Sequence, residues 1–368
     1  MNPTTDLNRL GQRLWLDNIT RDLLVNGSLQ RYVREYAISG LTSNPTIFDH
    51  AIRHTNLYDE AIREGAAHGR SAEALFLDLA LADVTAAADL FRPIHDATAG
   101  IDGWASLEVS PLLADDATGT VREVLQLHAR ARRPNLFIKI PGTRAGVTAI
   151  EESIFAGVPV NVTLLFSREQ YLAAAQAYLR GVERRIAAGL DPKVASVASL
   201  FVSRWDVAVN SAVPAALRNR LGIAVAQLTY RAYRELLASS RWRKLADTGA
   251  RPQRLLWAST GTKDPSASDT LYIEALAAPD TITTLPDKTL LAFADHGKLR
   301  GEVPTDGGDA EAMLAKFAQA GVEEAALAAR LLHEGTQSFD KSWASVLECI
   351  ASKARKLGVT PSARAAGQ

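Results

Sequence analysis

Asn135-Leu136-Phe137-Ile138-Lys139-Ile140-Pro141 is a short apolar run, closed by Pro134 on one side and Pro141-Gly142 on the other. Turn formers at both ends with β-favouring residues between them predict a buried strand. The lysine is out of place in it. Burying an ammonium without a partner is costly, and a lowered pKa is the usual response. A free amine attacks carbonyls, but at an ordinary pKa of about 10.4 only about a thousandth of it is free near neutral pH. Taken alone, the strand still favours the blander reading, a lysine that snorkels from a strand end to water. Lys139 is the first of only ten lysines in a chain with 31 arginines.

Seven more strand candidates flank this run: Leu14 to Ile19, Ser39 to Ser43, Trp104 to Ser110, Val158 to Phe166, Val194 to Val202, Arg254 to Ser259 and Thr281 to Leu285. Helical stretches separate them. Asn44-Pro45 reads as a cap followed by a first-turn proline. Ser167 with Gln170 three residues on reads as a capping box. Thr118 to Ala131 is expected to be a helix with Val121, Val124, Leu125 and His128 on one face. Strict strand–helix alternation argues for a parallel sheet, and eight units favour a closed barrel. The fold class is therefore α/β, a single (β/α)8 TIM barrel with additional helices. No GxGxxG follows the first strand, which weakens a dinucleotide-binding sheet. One catalytic domain is expected over residues 1–358, C-terminal helices included, with a flexible tail at 359–368. The segment from Asp206 to Gly249 is longer than one crossover needs. It either packs the barrel or forms a dimer face, so a monomer and a homodimer are both open.

Formal net charge is zero over 368 residues, so there is no global basic field for nucleic acid or an anionic membrane. Cys349 is the only cysteine, which excludes an intrachain disulfide and a cysteine-based metal site. It is expected to be buried in a helix. The first residues show no basic and apolar leader pattern, and no apolar run reaches membrane-spanning length. The expectation is a cytoplasmic protein.

Side chains alternate along a strand. Asp17 shares a face with Trp15, Glu108 with Ser106 and Ser110, and Lys139 with Phe137. Asn161 pairs with Thr163, and Ser259 with Trp257. In a barrel the wholly aliphatic face packs on the helices, so these faces look into the lumen. Their polar residues come late in each strand, toward the mouth where barrel active sites are built. One parity argument thus gathers Asp17, Glu108, Lys139, Asn161 and Thr163 in one cavity. Each alone has a dull reading as a cap, an ion pair or a buried hydrogen bond; together they point to function. An amine with two carboxylates suits Schiff-base aldol chemistry.

Asp17, Thr42-Ser43-Asn44-Pro45-Thr46, Leu136-Phe137-Ile138-Lys139 and Asn161-Val162-Thr163-Leu164-Leu165-Phe166-Ser167 together resemble the transaldolase family. The resemblance runs from about Leu14 to the C-terminal helices. Trp257-Ala258-Ser259-Thr260-Gly261-Thr262-Lys263 is similar to its longer-chain branch. It implies a class I mechanism with no metal or other cofactor, acting on sugar phosphates. Lys139 would form the imine. Asp17 would take the proton next to the breaking bond. Glu108 would serve the water steps through a water placed with Thr163. Asn44 and Asn161 would hold hydroxyls of the dihydroxyacetone unit, and Ser199 matches a site serine. Arg204 and Ser259 match phosphate contacts. The family often has a second arginine where this chain has Gly261, and Lys263 is the expected substitute; a solvated loop lysine is the equal alternative. The resemblance implies transfer of dihydroxyacetone from sedoheptulose 7-phosphate or fructose 6-phosphate to an aldose phosphate. The alternative is a fructose 6-phosphate aldolase that releases dihydroxyacetone. Phe201, lacking a hydroxyl where such aldolases typically carry tyrosine, favours transfer. A barrel kept only as an assembly partner is disfavoured by the intact set of lumen groups.

Overall fold

A computed structural model describes residues 2–362. Eight parallel strands close into a barrel in chain order: β1 Arg13–Leu16, β2 Ile38–Thr42, β3 Trp104–Glu108, β4 Leu136–Pro141, β5 Val160–Leu165, β6 Ser196–Phe201, β7 Gln253–Ala258 and β8 Ile282–Leu285. Helices connect them, as the alternation predicted. β4, the lysine strand, is buried along its whole length.

The lumen is built in layers that follow strand parity. Trp15, Trp104, Phe137, Val197, Leu256 and Ile282 form one interior cluster. Trp104 stacks on Phe137 with ring centres 4.1 Å apart. Two residues on along four of these strands come Asp17, Ser106, Lys139 and Ser199, so the apolar plug carries a polar layer above it. Gly40 on β2 makes room for the plug: a Cβ there would lie 2.7 Å from the Trp104 carbonyl oxygen and from the Trp15 ring. Gly40→Ala should cost about 1–3 kcal/mol by overpacking, seen as a lower midpoint in thermal melts. An unchanged midpoint would show that both the Trp15 ring and the Trp104 carbonyl shift freely.

Local signals behave as expected. Asn44 caps the helix Pro45–His54, accepting the Ile47 N–H at 3.0 Å. Ser167 and Gln170 form both bonds of a capping box. Cys349 is buried. Two details differ. The helix Ala117–Ala131 buries Thr120, Val124, Leu127 and Ala131, whereas Leu125 is exposed. The buried stripe is therefore rotated from the expected one, toward the helix Arg144–Phe155 and strand β4. On β7, Leu256 and Ala258 face the lumen, while Trp257 packs outward near Tyr230. Ser259 has φ +54°, and this left-handed residue breaks the alternation that had paired it with Trp257.

The helix Glu324–Lys356 crosses from the outer helices to the barrel mouth. Trp343 meets Phe76 edge-on at 5.0 Å, Ser342 pairs with Thr46 at 2.7 Å, and Lys353 pairs with Asp59 at 2.6 Å. Gly335 lets it approach closely, since a Cβ would lie 3.1 Å from Leu164. Val359 packs on the core, and the Ser362 N–H donates to the Arg70 carbonyl at 3.0 Å. The remaining expected tail, 363–368, lies outside the described residues.

Candidate active site

A cavity of about 250 Å³ opens at the C-terminal ends of the strands. Asp17, Asn44, Lys139, Thr163, Ser199, Arg204, Ser259 and Lys263 line it. They arrive from six different strands or the loops that follow them, which is how a barrel mouth assembles a site. Of the ten residues singled out in the sequence, only Glu108 and Asn161 stand off this wall.

Lys139 is buried, and its Nζ donates to the Ser43 carbonyl at 2.8 Å. The same Nζ forms an ion pair with Glu108, the neighbouring residue across the β3–β4 pairing. Glu108, Lys139 and Thr163 line a second, small chamber of about 10 Å³. Its other walls include Leu164 and Phe339. Among the described residues Thr163 Oγ1 has no hydrogen-bond partner. Asn161 sits beside Lys139 on β5, donating to Ser106 Oγ at 3.2 Å and accepting from Ser199 Oγ at 2.7 Å.

Asp17 continues β1 by one residue, its N–H donating to the Leu285 carbonyl at 2.7 Å. Thr42 Oγ1 donates to its carboxylate at 2.9 Å and is itself 2.9 Å from Thr284 Oγ1. Burial raises the Asp17 pKa above the usual carboxylate range; the Lys139 charge, the Thr42 bond and Lys263 pull the other way. Burial likewise raises Glu108, against the pull of Lys139. One ammonium thus faces two carboxyls whose ionised forms are both penalised.

The cavity also carries two cations, Arg204 from a helix and Lys263 from an exposed loop. Arg204 follows β6 in the helix Ser203–Val209 and lines the cavity. Ser259 Oγ lies 2.9 Å from Ser203 Oγ. Lys263 Nζ lies 3.7 Å from the place a Cβ on Gly261 would take, so its ammonium stands beside the start of any side chain at 261. Asp206 anchors the arginine's helix from behind. It accepts the Leu221 N–H at 2.9 Å and the Tyr272 hydroxyl at 2.8 Å, and burial pushes its pKa up to about 6. This gives the start of the long 206–249 segment a structural use: it ties the Arg204 helix to the next barrel layer.

Sequence reasoning passed over Thr42, Thr284 and Phe339. The threonines had a signal, since each comes late in its strand on the lumen parity. Phe339 had none: it comes from a helix far along the chain and reaches the site through tertiary packing alone.

Comparison with known proteins gives a consistent result. The family model described as "Transaldolase/Fructose-6-phosphate aldolase" matches residues 14–350. The transaldolase of Parafrankia sp. (strain EAN1pec) is 43% identical over 357 residues, covering 95% of this chain and 97% of its own. That of Thiobacillus denitrificans is 44% identical over 358 residues, covering 95% of this chain and 100% of its own. "Transaldolase 2" of Nostoc sp. (strain PCC 7120) is 37% identical over 376 residues, covering 97% and 99%.

Proposed function

Since the chain belongs to the transaldolase/fructose-6-phosphate aldolase family, we propose that it moves a dihydroxyacetone unit between sugar phosphates through a Schiff base on Lys139. Its activity is that of a transaldolase, a transferase. The donor is sedoheptulose 7-phosphate, or fructose 6-phosphate in reverse. The acceptor is glyceraldehyde 3-phosphate, or erythrose 4-phosphate in reverse. The observation that carries this reading is the position of Lys139, whose side chain lines both the sugar cavity and the small chamber beside Glu108.

Lys139 adds to the C2 carbonyl of the ketose. Glu108, with a water held against Thr163, moves the protons of carbinolamine dehydration and later of imine hydrolysis. Asp17 takes the proton of the C4 hydroxyl as the C3–C4 bond breaks, and the protonated imine draws in the electron pair. Asn44 reaches the hydroxyls directly. Ser199 on the cavity wall joins it, held by Asn161 from beside Lys139. Phe201 on the cavity wall packs 5.3 Å from Phe166 and brings no hydroxyl to activate water, which favours transfer over release. Neutral overall charge and a single cysteine support a cytoplasmic enzyme without nucleic-acid partners, acting as a monomer or homodimer. Among the described residues no helix is long and apolar enough to cross a membrane.

The test is a coupled assay with fructose 6-phosphate and erythrose 4-phosphate. Sedoheptulose 7-phosphate should form together with glyceraldehyde 3-phosphate. Free dihydroxyacetone as the main product would point to an aldolase instead.

Arg204, Ser259 and Lys263 receive the phosphate in this reading. Arg204→Ala should chiefly raise KM for phosphorylated substrates, by about 2–4 kcal/mol in kcat/KM if the contact is a desolvated charge pair. An unchanged KM would put the phosphate elsewhere.

A further inference from the structure

The small chamber and the sugar cavity share three lining residues: Lys139, Thr163 and Phe339. Two of them carry polar groups toward the chemistry. Phe339 is the apolar one, supplied by the helix Glu324–Lys356 and only 9% exposed. We propose that Phe339 is the partition between a one-water chamber and the sugar cavity, and that it sets how strongly the centre transfers its three-carbon unit rather than losing it to water. This rests on the Schiff-base reading above.

The water stoichiometry of the reaction gives the partition its purpose. When the Lys139 amine adds to the ketose C2 and the C=N bond forms, the C2 oxygen leaves as one water. Cleavage then breaks C3–C4; the electron pair becomes the C2=C3 bond of an enamine, Asp17 takes the C4 hydroxyl proton, and an aldehyde departs. The enamine has two exits. In transfer, C3 attacks the acceptor's aldehyde carbon and the proton on Asp17 goes to the new alkoxide. The longer imine then takes up one water, and the C–N bond breaks to return the amine. In release, C3 takes a proton from solvent, and the three-carbon imine takes up one water to give dihydroxyacetone. Transfer therefore needs one water beside Glu108 and none beside C3.

The geometry matches that need. A chamber of about 10 Å³ is the scale that holds about one water. Leu164 helps close it, because its φ of +56° turns the end of β5 so that both Thr163 and Leu164 line the chamber. Gly335, one turn before Phe339, seats the helix against Leu164, and Trp343, one turn after it, is held edge-on by Phe76. The ring is thus fixed on both sides and has no donor or acceptor of its own.

The experiment measures dihydroxyacetone released per transfer event, with fructose 6-phosphate and erythrose 4-phosphate, in the parent protein, Phe339→Ala and Phe339→Met. Borohydride labelling of Lys139 with fructose 6-phosphate is read in parallel. Phe339→Ala should raise the release-to-transfer ratio roughly tenfold or more while labelling persists, because it joins the two chambers. Phe339→Met, which keeps the bulk, should stay within about threefold of the parent. If Phe339→Ala does not fold, Phe339→Leu takes its place and should give a smaller rise in the same direction. An unchanged ratio in a labelled Ala or Leu variant overturns the partition, as does an equal rise in Phe339→Met. A parent protein that is not labelled at Lys139 would instead remove the Schiff-base reading, and the partition with it.

Discussion

Borohydride reduction in the presence of fructose 6-phosphate will place a three-carbon label on Lys139 and on none of the other nine lysines. Peptide mass mapping reads the position directly, and a label elsewhere would end the proposed mechanism. Of the ten lysines, Lys139 is the one on a barrel strand, buried and on the wall of the mouth cavity. Lys263 also lines that cavity, but it is exposed on a loop where an ammonium keeps its hydration. Lys139→Arg should fold, because a cation still faces Glu108 and the cavity can take the added bulk. It should nevertheless be inactive and unlabelled, since guanidinium stays protonated and cannot add to a carbonyl. The expected loss is on the order of 10⁴-fold or more, the scale seen when a covalent nucleophile is removed. Lys139→Ala is the poorer test. It would leave the Glu108 carboxyl buried without its partner, and breaking such a pair costs about 3–5 kcal/mol. A loss of activity there could reflect folding alone.

How much of this was legible in the sequence depends on how local each signal is. The capping box at Ser167 and Gln170 and the cap at Asn44 are set by residues within one turn, and both form. Strand parity is nearly as local. It brought Asp17, Lys139 and Thr163 to the cavity, and Glu108 and Asn161 to the positions beside Lys139, because the pleat admits only two faces. Parity fails where the backbone leaves the β region. At Ser259 the left-handed φ turns the chain, so Trp257 faces the helices although Ser259 still reaches the cavity. Serine gives no warning of this, whereas a glycine or asparagine would have. The buried face of Ala117–Ala131 was misplaced for a different reason. Leu125 is as apolar as Leu127, and which of the two is covered depends on where the neighbouring helix lies. Phe339 marks the limit of sequence reading. Its place follows from a helix that crosses the mouth at Gly335 and Phe339 and then packs on Pro45–His54, a route no spacing encodes.

Asp17 and Glu108 should fail at different steps when each is removed. Their settings differ in a way that fits two roles. Asp17 lies on the wall of the sugar cavity, oriented by Thr42, at the end of β1, with β2 between it and β3. Glu108 lies in the small chamber, paired with Lys139 and sharing the chamber with Thr163. In the proposed mechanism Asp17 takes the hydroxyl proton during carbon–carbon cleavage, and Glu108 moves protons on water. Asp17→Ala should therefore still form the imine with fructose 6-phosphate, but should not release glyceraldehyde 3-phosphate. Glu108→Gln should be slow to form the imine and slow to hydrolyse it, while a preformed adduct cleaves nearly as fast as in the parent. Each loss should be roughly 10²–10⁴ in the step that the group serves. The pH profile adds a second readout. Burial raises the Asp17 pKa, so its basic form is lost, as pH falls, at a higher pH than an ordinary carboxylate would show. The acid limb of the cleavage step should lie correspondingly high and should vanish in Asp17→Ala, where the residual rate no longer depends on that ionisation. Single-turnover kinetics separates the steps. If Asp17→Ala cleaves at the parent rate, or both variants stall at the same step, then the two carboxyls do not divide the work in this way.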